Sequence, residues 1–249
     1  MKKTFLAIIM AAALLPSLIS CKQVSVQEQI DQLTAAATSG AGAHIAQIER
    51  FDGQKEIDYL TLTLAKELKA KDVWTLEDEG VTTLVADFRG RARQDGQMTV
   101  VSAALDDKLA CATVLDLLSA LKEAGTRPRN DLRAVFYHRS GDEFNAEGLK
   151  ALNREIRESG EKVVFDLEIS SNEARPVRTF ILEDHPIFVD QIFESVPNYL
   201  NAVGDFTLTR GEYPNMSWPF KVPVYRYTVG REDPATDLRG LALFDFLLN

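Results

Sequence analysis

Residues 98–125 read MTVVSAALDDKLACATVLDLLSALKEAG, and the fold follows from them. Met98 to Ser102 is a short, buried-looking strand. Leu109, Val114, Leu117, Leu118 and Leu121 then recur on one side of a helix from about Asp107 to Ala124, with Gly125 as its stop. Leu132 to Tyr137 is a second strand, Asn145 to Ser159 is helical, and Val163 to Ile169 is a third strand. Strand, helix, strand, helix, strand places parallel strands in one sheet with helices on its faces. The expected fold class is α/β, a three-layer αβα architecture with a mostly parallel central sheet.

Outward from that centre the pattern continues. Ile57, Leu60, Leu64 and Leu68 mark an amphipathic helix, while Val73–Leu76 and Val81–Phe88 read as strands turning at Glu77-Asp78-Glu79-Gly80. Downstream, a helix is expected near Phe188–Val196, a strand over Val222–Val229 and a last helix from about Thr236 to Leu248. No internal repeat or low-complexity tract interrupts the chain.

The N-terminus speaks to compartment. Lys2 and Lys3 precede an apolar run from Phe5 to Leu18, too short for a comfortable permanent span. It ends in Leu18-Ile19-Ser20-Cys21, which matches the lipobox of bacterial lipoproteins. Residues 1–20 are therefore expected to be a signal peptide, with lipidation at Cys21 and export to the cell envelope. Residues 21–40, polar and rich in Ala, Ser and Thr, are expected to form a lipid-anchored tether that includes a loose first helix. Residues 41–249 form a single domain. Without Lys2 and Lys3 the 28 cations fall to 26 against 37 acidic residues, a net −11. Nothing in that balance favours nucleic acid or an anionic membrane surface, which leaves membrane association to the lipid. Only Cys111 remains besides Cys21, so stability must come from the core.

In open α/β sheets, ligands collect beyond the carboxyl ends of the strands. Asp106 and Asp107 follow the first strand of the central unit, Asp142 and Glu143 the second, and Asp166 and Glu168 lie within or at the end of the third. Three strands delivering carboxylates to one edge suggest a divalent cation, because like charges repel unless something positive holds them.

Four pieces in order carry a family resemblance. Ala104-Leu105-Asp106-Asp107-Lys108 resembles the Leu-Asp-Asp-Arg segment of the co-catalytic zinc aminopeptidases of families M42 and M28. Gly141-Asp142-Glu143-Phe144-Asn145-Ala146-Glu147-Gly148 resembles their paired-Glu segment, and Val164-Phe165-Asp166-Leu167-Glu168 the strand supplying their next Asp. Pro223 to Tyr227, then Pro234 to Leu238, resemble their closing strand and helix. The resemblance implies Asp106 as a carboxylate bridging two metals, Glu143 and Asp166 as ligands, and Asp142 in the place of the general base. Zinc or another divalent cation would be the cofactor, and a peptide the substrate or ligand.

The departures are as definite. The family supplies a His to each metal, yet none precedes Asp106, and the downstream places hold Ser217 and Val229. Asp142 is one methylene shorter than the family's Glu. His138 and His185 are the possible substitutes, with His44 more distant. An aminopeptidase-type enzyme with an altered site and a non-catalytic binding module on the envelope are both open readings.

Overall fold

A computed structural model describes residues 25–78, 80–91, 97–138, 147–171, 178–183, 189–211 and 222–248. Its frame is one mixed sheet of eight strands. In chain order these are β1 (Asp72–Asp78), β2 (Val81–Phe88), β3 (Gln97–Ala104), β4 (Asp131–Tyr137), β5 (Lys162–Ser171), β6 (Thr179–Glu183), β7 (Thr207–Gly211) and β8 (Val224–Val229). Across the sheet the order is β1-β2-β4-β3-β5-β8-β6-β7. The central run β4-β3-β5-β8 is parallel, as is β6 with β7, whereas β1–β2, β2–β4 and β8–β6 are antiparallel. The expected α/β architecture is present, with its antiparallel pairings away from the centre. β6 and β7 are additions to the expected strands. Each is only five residues long, too short to establish a period of two.

The helices are α1 (Val26–Gly40), α2 (Ile45–Ile48), α3 (Gln54–Leu62), α4 (Lys108–Glu123), α5 (Glu147–Ser159), α6 (Val189–Leu200) and α7 (Pro234–Leu248). α3 runs on into a π-helical turn, Thr63–Glu67. α4 begins where Asp107 caps it, its carboxylate accepting from the Ala110 amide at 3.0 Å. It stops at Gly125, whose φ of 64° ends helices at little steric cost.

Strand alternation sorts the core into two faces. On one, Val101, Ala103, Phe136, Leu167 and Tyr225 pack with α4 and α7. Here Phe180 stacks on Phe244, ring centroids 4.0 Å apart. On the other, Val85, Val100, Val135 and Val224 pack with Leu149, Leu152 and Ile156 of α5. Helices therefore cover both faces, which makes the three layers.

Within 21–40 the expected first helix is present, but it is packed rather than loose. It runs from Val26 onward, capped by the Ser25 hydroxyl, with Ile30, Leu33, Ala36 and Ala37 buried. These residues stand three, three and one apart, a helical stripe that docks on α4 and α7. Its apolar residues are few and small, so composition hides a face that spacing reveals. Among the described residues no helix is long and apolar enough to cross a membrane. The expected signal segment and Cys21 lie outside the described residues.

Candidate functional site

The carboxyl ends of β3 and β4 meet the start of α3 at an open cleft of about 440 Å³. Asp52, Glu56, Asp106, Lys108 and His138 line it. Asp106 is exposed just past β3, as expected for a residue at that edge, and His138 is exposed just past β4. Gly53 opens α3 with φ 56°, a conformation that favours glycine, and the turn it makes delivers Glu56 into the cleft wall.

Glu56 is the residue that sequence reading missed. It is 5% exposed, and its Oε1 has no hydrogen-bond partner among the described residues. Burial pushes its carboxyl up to about 6; Lys108 draws it down, and the negative charges of Asp52 and Asp106 push it up. Lys108 is itself held, its Nζ donating to the Phe51 carbonyl at 2.6 Å and to Asp52. Glu56 sits at a polar-looking position between Lys55 and Ile57, and only tertiary packing buries it.

Asp107 has a structural part. One oxygen caps α4, and the other accepts from the Ser171 amide at 2.7 Å, pinning the end of β5 to the start of the helix. His44 is likewise occupied, with its Nδ1 2.6 Å from Oδ1 of the buried Asp116 on α4.

Asp166 stands apart from Asp106. It lies inside β5 opposite Val100, with Val224 on its other side, and has no exposure. Val100 is four residues before the end of β3, so at about 3.3 Å per residue Asp166 sits roughly 13 Å back from the edge. Ser102 donates to its Oδ1 at 3.0 Å. Glu168, two residues on, faces the same way and is equally enclosed. The Tyr137 hydroxyl donates to it at 2.7 Å, and Arg226 of β8 pairs with it at 2.7 Å. Ser102, Tyr137, Asp166, Glu168 and Arg226 thus form a buried polar patch on the α5 face of the sheet. The positive charge inside that patch comes from a guanidinium.

A pair of zinc ions needs carboxylates and imidazoles converging at one point. Among the described residues no group of three or more His, Cys, Asp or Glu side chains could hold a metal ion. The described donors do not fit the metal pair, because strand register keeps Asp166 from Asp106. Asp142, Glu143 and His185 lie outside the described residues.

No protein-family model matches the chain, and no curated protein matches it. Solved structures do. A Bacteroides vulgatus protein described as a zinc-dependent exopeptidase superposes with TM-score 0.64 at 11% identity, over 85% of this chain and 96% of its own. The LapA aminopeptidase of Legionella pneumophila gives 0.59 at 12% identity, covering 93% and 76%. A glutaminyl cyclase of Porphyromonas gingivalis gives 0.54 at 13%, covering 91% and 99%. At these identities the likeness is one of fold, and the zinc-aminopeptidase-like architecture is the shared element.

Proposed function

We propose that this chain is an exported lipoprotein, acylated at Cys21, whose aminopeptidase-like body is a peptide-binding module with weak hydrolysis at most. The carrying observation is the buried Glu168–Arg226 pair beside Asp166. Carboxylates gathered on a sheet of this architecture need a compensating positive charge. Here an arginine supplies it, and Asp166 accepts from Ser102 in the interior of the sheet. Neither group is then presented to a cation at the edge. The missing family histidines and the shortened Asp142 point the same way.

The test is metal content together with hydrolysis of aminoacyl substrates by the purified protein, with zinc, manganese or cobalt added and Asp142→Asn as control. The expected result is little bound metal and no turnover above the control. Robust metal-dependent turnover that Asp142→Asn abolishes would overturn the proposal. A second reading, an active hydrolase with an altered site, draws on Glu56. A carboxyl near neutrality in an open cleft suits general acid–base work. It would require Glu56→Gln to remove any turnover found.

A further inference from the structure

A second cavity lies at the opposite, amino edge of the parallel strands, between the end of α4 and the π-helical turn. Its volume is about 590 Å³, within the range of small-molecule pockets. Leu68, Phe88, Leu118, Leu121 and Leu132 give it an apolar floor. Five cations line it as well, Lys69, Lys71, Arg89, Lys122 and Arg127, without a single acidic residue. In a chain with 28 cations against 37 acids, that local inversion is unexpected. Lys71 pairs with Asp72, and Lys122 donates to the Glu67 carbonyl. Lys69, Arg89 and Arg127 have no ion pair or side-chain hydrogen bond among the described residues.

The backbone adds an independent observation. Lys69 has φ 58°, the only non-glycine residue with positive φ among those described. The left-handed region favours glycine, and here it ends the helix and sets the lysine at the pocket wall. The turn that holds it is the π-helical Thr63–Glu67, closed by Leu68 and Ala70 amides donating to the Thr63 and Leu64 carbonyls. Single π-helical turns are frequently found at functional sites.

We propose that this pocket binds a single-chain lipid anion of the fatty-acid class, its head at Lys69, Arg89 and Arg127 and its chain along the leucine floor. The concave shape favours one small ligand over a bilayer or a polymer, each of which needs an extended basic surface. The acidic body would repel such large anionic partners. Asp72 and Asp131 lie beside the pocket, at Lys71 and Gly90, but no carboxylate lines it, and more distant charges are screened beyond about 8 Å at physiological salt. The proposal is independent of the cleft at the other edge.

The test uses the purified protein with Cys21→Ala, so that no acyl group of its own competes. Dodecanoate, kept below its micellar concentration, is titrated calorimetrically into this protein and into Lys69→Gly and Arg127→Gln versions of it. Lys69→Gly retains the turn, since glycine accepts φ 58° freely, and thermal melts verify both folds. Saturable one-to-one binding is expected, weakened about tenfold or more by either substitution. It should also weaken in about 1 M salt, where the screening length falls to about 3 Å. A dodecyl trimethylammonium cation should not bind, and inorganic phosphate should bind far more weakly than dodecanoate. No saturable binding, equal binding of the cation, equal binding of phosphate, or affinity unchanged in both variants would overturn the proposal.

Discussion

Glu56→Gln should stabilise the protein at alkaline pH and leave it nearly unchanged at acidic pH. Burial raises the Glu56 carboxyl from 4.5 to about 6. The folded state therefore holds this proton more tightly than the unfolded chain does. Below about 4.5 both states are protonated and nothing is lost. As pH rises from 4.5 through 6 the unfolded state releases the proton first, so stability falls with pH, and above 6 the folded state carries an ionised buried group. At about 1.36 kcal/mol per pH unit the ceiling on that penalty is about 2 kcal/mol. Water in the open cleft screens the group and reduces it to about 1 kcal/mol. A neutral glutamine escapes the penalty at every pH. For a domain of this size that corresponds to a gain of about 2–4 °C in Tm above pH 7, shrinking toward zero by pH 4.5. Thermal melts of both proteins across pH 4.5–8.5 measure the gap. A gap that stays flat with pH would refute the reasoning. So would a Glu56 carboxyl carbon that titrates in NMR at the ordinary position.

Arg226→Met should cost about 3–5 kcal/mol by stranding Glu168 in the core, and adding Glu168→Leu should recover most of it; urea midpoints read both. Gly240→Ala would place a Cβ 2.2 Å from Phe206 Cζ, in a ring cluster with Phe180 and Tyr227 that leaves little room to yield. A loss of about 1–3 kcal/mol in denaturant unfolding is expected. Cys21→Ala should release the protein from membranes while its melting temperature stays the same; sediment that survives a salt wash would count against lipidation.

The central α/β unit was legible because its signals are long and agree with one another. The Leu109–Leu121 stripe and the Gly125 stop both point to one helix beginning near Asp107, and β3, β4 and β5 appear within two residues of their expected ends. Site geometry was less legible, for a physical reason. Asp166 looks like a strand-end ligand only if β5 ends near it, but β5 runs to Ser171 and its register against β3 places Asp166 in the interior. Register comes from pairing between strands, which one strand's sequence does not contain. Glu56 escaped notice for the same kind of reason. A glutamate on an amphipathic helix reads as a solvated face until another element covers it. The first helix was expected, but its docking was hidden by composition: Ala36 and Ala37 contribute to a core only by letting helices approach closely.

The position of α1 bears on how the protein would sit in the envelope. Lys22, Gln23, Val24 and Ser25 are all that separate Cys21 from the first helical residue. Even drawn out fully, five peptide steps span only about 18 Å. With acyl chains on Cys21, the body would be a fixture at the lipid surface, unable to sweep the surrounding space on a long leash. Leu33 and Ala37 wedge α1 against α4 and α7, so a tug on the anchor would pass straight into the core. Partners would have to come to the bilayer to meet it.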